Sequence, residues 1–309
     1  MAILFKASVD NADLWRQEIG KRLPDLDFRV WPDCGDPAEI EYLLAFRAEP
    51  GMFPRFPNLK AVLATGAGVD GILGVPDYPR GLPLARIVDD WMTTQIVQWV
   101  VHAILHFERR FEDYAAQQRR CEWKELEIWS ERVPRVGILG CGEIGGAAGR
   151  LLAAMEFDVA GWTRRPKDLG PIANFAGGDG LIPFLRRSDH LVCLLPLTEA
   201  TAGILDARTL AELPRGAFVI NAARGRHVVT EDLIAALDSG QIAGAFLDVT
   251  DPEPLPPDHP LWRHPRVLVT PHVAGITNPY TAAAQIAENI RRLRAGEPLL
   301  NEVDTGSGY

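Results

Sequence analysis

Residues 135–165 read RVGILGCGEIGGAAGRLLAAMEFDVAGWTRR, and their order decides the fold. The apolar run Arg135 to Leu139 has the composition of a buried strand, GCGEIGG is a glycine turn, the alanine-rich segment after it is helical, and DVAGW is a second strand. That succession, with the second strand about twenty residues on, is a βαβ unit built to hold a dinucleotide. Gly140 permits the tight turn, Gly142 lets the backbone approach a pyrophosphate, and Gly145 lets the helix sit against the strand. The helix N-terminus, beginning at Glu143 and Ile144, supplies amide donors and a positive dipole end. At the tip of the second strand, an NAD enzyme places an Asp or Glu on the ribose hydroxyls, whereas this chain has Thr163, Arg164 and Arg165. A carboxylate there would repel a 2′-phosphate and a guanidinium grips it, so NADPH (NADP) is expected in preference to NADH.

The rest of the chain is organised around that unit. Its 309 residues, 47% hydrophobic, are enough for two domains with substantial cores. A net charge of −9, with 32 Lys and Arg spread along the chain, argues against a nucleic-acid surface, so an anionic ligand must be held by local arginines and backbone amides. No segment reads as a membrane span or a secretory leader; the longest apolar run, near Trp99, is interrupted by His102 and His106. The four cysteines, Cys34, Cys121, Cys141 and Cys193, are scattered and fit a reducing cytoplasm better than a disulfide framework.

Before the glycine turn, short apolar strands alternate with helical segments: AILFKASV, a helix near Ala12 to Arg22, FRVW, YLLAF, KAVLAT and ARIV. One long helix is then expected from about Met92 to Tyr114, apolar on more than one face and so buried against another domain or subunit. After the turn come HLVCLLP, AFVINA, GAFLDV and RVLVTP, a helix EDLIAALDSG stopped by Gly240, and a final amphipathic helix from about Pro279 to Ala295.

In open parallel sheets, ligands bind beyond the carboxyl ends of the strands. After AFVINA comes Arg224, after GAFLD come Asp248 and Glu253, after RVLVTP comes His272, and after KAVLAT comes the turn Gly66-Ala67-Gly68-Val69-Asp70. A cation, a carboxylate and an imidazole on the nucleotide edge suit the reduction of a 2-oxo acid. Hydride reaches the carbonyl carbon, an acid must protonate the oxygen, and a cation must polarise it and pair with the neighbouring carboxylate. His272 suits the acid, with Glu253 fixing its tautomer, and Arg224 suits the cation.

These residues, in this order, resemble the D-isomer-specific 2-hydroxyacid dehydrogenase family over nearly the whole chain. The likeness is carried by GAGVD, the glycine turn, LLPLT (Leu194 to Thr198), NAARG (Asn221 to Gly225), LDVTDPEPLPPDHPLW (Leu247 to Trp262) and TPHVAG (Thr270 to Gly275). Within the family it is strongest to the reductases of glyoxylate and hydroxypyruvate. The resemblance implies an α/β fold of two Rossmann-like domains, each a doubly wound parallel sheet, with a cleft between them. Residues 1–91 and 276–309 would form a flavodoxin-like substrate domain and 92–275 the NADP-binding Rossmann domain, hinged near Asp90-Trp91 and Gly275-Thr277. It also implies Arg224, Glu253 and His272 as the catalytic trio. Leu195, Pro196, Ala222 and Asp248 would contact the cofactor, with Asp248 at the nicotinamide carboxamide. The Ala67 and Gly68 amides would hold the substrate carboxylate, with Phe46 on the substrate wall, and a homodimer would form through the nucleotide domain.

The chain departs from those reductases at the substrate wall, where Phe46-Arg47 stands in place of a Trp, and at Trp91, which replaces a small residue. A smaller ring admits a larger side chain than the hydrogen of glyoxylate, and Arg47 favours a polar or diacid substrate unless it pairs with Glu49. Two other readings share the scaffold: a non-catalytic dinucleotide-sensing protein, and an oxidiser of formate or phosphonate. Intact Arg224, Glu253 and His272 argue against the first, and Glu253, where formate enzymes carry Gln, against the second. His102 and His106 have a spacing used by zinc sites but no third ligand, so no metal is expected.

Overall fold

The computed structural model describes residues 1–7, 11–127 and 132–306. Two compact units are present: Met1–Met92 with Ile276–Tyr309, and Thr93–Gly275. Each is built on a parallel sheet flanked by helices, which makes the chain α/β.

In the first unit the strands are β1 (Ala2–Lys6), β2 (Asp27–Val30), β3 (Ile40–Ala45), β4 (Ala61–Ala64) and β5 (Leu84–Ala85), in the order β2-β1-β3-β4-β5. β4 and nearly all of β1 and β3 are buried, as continuous apolar runs demand when both faces of a sheet are covered. Helix α1 (Ala12–Gly20) starts at Asn11, whose side chain accepts the Leu14 amide at 3.1 Å, and buries Trp15 and Ile19. A short helix α2 (Asp70–Leu73) follows the turn after β4. β5 is shorter than ARIV suggested, because its continuation is bonded elsewhere: the Arg86 amide to Asn301 O and the Ile87 amide to Gly66 O.

The expected long helix is two: α3 (Asp90–Glu108) and α4 (Phe111–Arg119). Between them Arg110 adopts the left-handed region at φ 54°, its amide closing on Phe107 O, while its guanidinium bonds Asp113 at 2.7 Å. No Gly or Pro marks the break, so periodicity runs through it. Much of the apolar surface of α3 is used within its own unit. Trp99 packs on Phe246 with ring centroids 4.6 Å apart, and Phe107 stacks on Phe218 at 4.3 Å. Glu108 ends the helix 2.5 Å from Nε2 of the buried His190.

The second unit continues with β6 (Arg135–Leu139), α5 (Glu143–Ala154), β7 (Asp158–Thr163), β8 (Ala173–Ala176), α6 (Gly177–Arg186), β9 (His190–Cys193), α7 (Ala207–Ala211), β10 (Ala217–Asn221), α8 (Thr230–Asp238), β11 (Ile242–Leu247) and β12 (Val267–Val269). Its seven strands run β12-β11-β10-β9-β6-β7-β8. β8, which the apolar pattern had not marked, forms one edge. Gly240, at φ 71°, ends the α8 segment as expected. The chain closes with α9 (Pro279–Ala295), capped by Asn278 and stopped by Gly296 in the left-handed region, packing on α1. No helix among the described residues is long and apolar enough to cross a membrane.

Asp189 ties the amino-terminal edge of this sheet together. Its carboxylate accepts from the Arg132 guanidinium, including a bond of 2.7 Å, and from the Arg135 amide at 3.0 Å, while its carbonyl takes the Phe218 amide. Burial would raise its pKa, but the bonds to Arg132 and Arg135 outweigh burial and hold the carboxyl well below the usual range. A depressed folded-state pKa stabilises fully above the unfolded value, near pH 4, and that stability is lost as pH falls from there through the folded value. Asp189→Asn is therefore expected to cost about 1–3 kcal/mol at pH 7. Paired denaturant titrations should show the gap from the parent closing below about pH 4.

Candidate active site

Strand register sets the site. Leu139 pairs with Trp162 and Cys193, Asn221 with Cys193 and Leu247, and Leu247 with Val269, so the carboxyl ends of six strands lie in one row. The next residues along that edge are Gly140, Thr163, Leu194, Ala222, Asp248 and Thr270. The second unit thus brings most of the sequence-predicted groups to a single edge.

At its middle, Gly140 turns at φ 95°, and a Cβ there would stand 2.8 Å from Leu194 O. At Gly145 a Cβ would sit 2.0 Å from Gly140 O, so the helix can approach the turn only without a side chain. Space beside Gly142 is open, and no side chain caps the first amides of α5, where Glu143 is exposed and Ile144 half-buried. A turn that presents open backbone and free helix amides fits a pyrophosphate. Burial pushes the Cys141 thiol up to about 11, which leaves it a neutral packing group rather than a nucleophile.

The tip of β7 is organised by groups that composition did not single out. Asn174 donates to Thr163 Oγ1 at 2.9 Å and accepts the Lys167 amide at 3.0 Å, and Thr163 Oγ1 bonds Arg165 O at 2.7 Å. Lys167 Nζ reaches back to Cys141 O at 3.2 Å, joining the tip to the glycine turn. Arg164 and Arg165 stand exposed on this loop, and a groove of about 300 Å³ lined by Gly142, Glu143, Arg150 and Lys167 opens beside it. The signal for Lys167 was the third cation in Arg-Arg-Pro-Lys.

His272 and Glu253 are brought together, with Nδ1 2.5 Å from Oε1 and both side chains about three-quarters buried. That contact directs Nε2 away from Glu253 as the nitrogen able to deliver a proton. His272 sits in the left-handed region at φ 56°, a conformation that needs support from its surroundings. The buried Asp248 provides it. Its carboxylate accepts from Thr270 Oγ1 at 2.6 Å, the Val273 amide at 2.8 Å and the Ala274 amide at 2.9 Å, while its carbonyl takes the His272 amide at 2.8 Å. Trp99 Nε1 of α3 bonds Thr270 Oγ1 at 3.2 Å and extends the support into the helix layer.

Arg224 follows β10, half-buried, with Nη1 bonded to Ala223 O at 2.7 Å. Its loop is fixed by two fully buried polar side chains. Asn221 donates to Arg224 O at 2.9 Å and accepts the Ala223 amide at 3.1 Å, and His227 faces both Arg224 and Pro196. Leu195 is buried next to Pro196, whose carbonyl also accepts from Thr201 Oγ1 at 2.7 Å.

In the first unit, Phe46 follows β3 and lies half-buried, its ring covered by the Arg47 guanidinium at 5.6 Å, close to Gly66. Ala67 and Gly68 are half-buried in the turn after β4. Glu49, offered by the sequence as a partner for Arg47, makes an ion pair with Lys6 at 3.0 Å. Trp91 is about half exposed at the start of α3.

The carboxyl edge of this sheet thus combines an open glycine turn suited to a dinucleotide with a cation and an imidazole–carboxylate pair able to hold an anion and move a proton. The chain belongs to the D-isomer-specific 2-hydroxyacid dehydrogenases: residues 101–274 match the NAD-binding domain of that family. Glyoxylate/hydroxypyruvate reductase A of Serratia proteamaculans is 41% identical, with all of both chains covered. Among solved structures, a D-isomer-specific 2-hydroxyacid dehydrogenase of Xanthobacter autotrophicus, in complex with NADPH and MES, superposes with a TM-score of 0.92 at 44% identity, covering 100% of this chain and 99% of that one. An NADPH-dependent glyoxylate/hydroxypyruvate reductase of Sinorhizobium meliloti, with NADP and sulfate, gives 0.92 at 35% identity and the same coverage.

Proposed function

We propose that this chain reduces small 2-oxo acids, glyoxylate and hydroxypyruvate foremost, to 2-hydroxy acids with NADPH. The observation that carries the reading is the 2.5 Å His272–Glu253 pair, on the same sheet edge as Arg224 and the open glycine turn. Relatives named as reductases of these two acids, one of them solved with NADP, support it. The pyrophosphate is assigned to Gly140, Gly142 and the α5 amides, and the 2′-phosphate to Thr163, Arg164 and Arg165. When bound, NADPH supplies the hydride.

The remaining chemistry falls to the protein. Glu253 holds the His272 imidazole in one tautomer and balances its charge, and Nε2 delivers a proton to the substrate oxygen as negative charge develops there. Arg224 polarises that oxygen and pairs with the carboxylate by its planar fork. The Ala67 and Gly68 amides are assigned to the carboxylate and Phe46 to the substituent. Asp248 keeps its assignment to the carboxamide, and its bonds to the His272 loop give it a supporting role as well. Assembly as a homodimer through the second unit is proposed on the family likeness.

Consumption of NADPH at 340 nm with glyoxylate and hydroxypyruvate, and identification of glycolate and glycerate, tests the reaction. No turnover alongside tight NADPH binding would overturn it in favour of a sensing role. The cofactor assignment predicts that replacing both Arg164 and Arg165 by Ala raises KM for NADPH by about tenfold or more while NADH is almost untouched. Equal effects on the two cofactors would remove the phosphate assignment.

A further inference from the structure

His227 is fully buried in the short turn Gly225–His227, yet no step of the proposed reaction requires it. Its ring lies between two main-chain segments. Nε2 is 3.3 Å from Pro196 O, on the loop after β9, and Nδ1 is 3.2 Å from the Arg224 amide and 3.1 Å from Arg224 O, on the loop after β10. Tautomer chemistry decides how these contacts are used. With the proton on Nε2, that nitrogen donates to Pro196 O and Nδ1 accepts the Arg224 amide, so both ring nitrogens are satisfied. With the proton on Nδ1, the Nε2 lone pair would face a carbonyl oxygen in the interior, a buried acceptor without a donor. Arg224 O is already served by Asn221 at 2.9 Å and does not need the imidazole.

We infer that His227 is a positioning residue. As the Nε2–H tautomer it sets the backbone of Arg224 and links it to the Leu195-Pro196 loop assigned to the cofactor. The inference rests on the proposed reading of Arg224 and of that loop. It goes further by giving a buried histidine outside the assigned catalytic trio a separable effect on each. Small displacements of a binding group are costly in rate, so loss of one contact should show in one kinetic constant and loss of the other in a different one.

Two substitutions separate the ends. In His227→Asn the side-chain oxygen stands where Nδ1 was and can accept the Arg224 amide, but nothing reaches Pro196. In His227→Gln the terminal NH₂ stands where Nε2 was and can donate to Pro196 O, but the acceptor for Arg224 is gone. The Gln variant is expected to lose roughly tenfold in kcat/KM for glyoxylate with its NADPH dissociation constant within about twofold of the parent. The Asn variant is expected to show the reverse, with weakened NADPH binding in a nicotinamide fluorescence titration and near-parental KM for glyoxylate. Identical profiles in the two variants, or a fall in melting temperature without this split, would overturn the inference and leave His227 as packing. If the parent chain turns over none of the 2-oxo acids, the functional reading fails on its own. The NADPH titration still decides His227, because only the Asn variant should bind more weakly.

Discussion

Replacement of His272 by Ala or Asn is expected to lower kcat for glyoxylate by about 10²- to 10⁴-fold and to leave NADPH binding unchanged. The size reflects the role. An alkoxide-like oxygen forming with no acid beside it must take its proton from water, and the enzyme forfeits what a positioned acid contributes. Cofactor binding is spared because none of the assigned NADPH contacts uses the imidazole. Most lie on the glycine turn, the β7 tip and the Leu195-Pro196 loop, and Asp248 is tied to the His272 loop through main-chain amides that both variants keep. The choice of Asn is deliberate. His272 occupies the left-handed region at φ 56°, which Asn tolerates well and Ala poorly. An Ala variant that melts early beside an Asn variant that is stable but inactive would separate backbone strain from lost chemistry. Substantial turnover in the Asn variant, by steady-state assay, would mean that another group donates the proton.

Arg224→Ala should be next in severity, with kcat/KM for glyoxylate falling by about 10²- to 10³-fold. Both the developing charge and the substrate carboxylate lose their cation. Arg224→Lys is expected to recover only part of this, because a point charge on a flexible stem cannot reproduce two parallel N–H bonds to a carboxylate. The loop itself should survive either change, since Asn221 and His227 hold its main chain rather than its guanidinium. Steady-state kinetics alongside fluorescence titration of NADPH would check this. A Lys variant equal to the parent would show that charge alone suffices and that the fork has no part in recognition.

The features legible in the sequence are those in which residue type and backbone requirement coincide. Gly140 and Gly145 were readable because a side chain at either would collide with neighbouring backbone, and β6, β9 and β10 because burial on both faces demands continuous apolar runs, a mark the half-buried edge strand β8 does not carry. Arg224, Glu253 and His272 were readable because each lies shortly beyond the carboxyl end of an apolar strand, and the structure places Glu253 against His272. The break at Arg110 was invisible because a left-handed arginine leaves no mark in the pattern. Asn221, His227, Asn174 and Thr270 were given no role for a different reason: residue type alone does not tell a buried polar group at a strand end or in a loop from a solvated one, and only the packed fold shows Asn221 and His227 fully buried and all four engaged with main chain or with Asp248.

The central claim is direct transfer of hydride from the nicotinamide to the carbonyl carbon, with a proton delivered separately to the oxygen. It is tested most directly by incubating the purified protein and glyoxylate with NADPH deuterated at both C4 positions of the nicotinamide, and examining the glycolate by mass spectrometry and NMR. One deuterium bound to C2 of the product is predicted, together with none at C2 when unlabelled NADPH is used in heavy water. Glycolate without label, or no glycolate at all, would contradict the account.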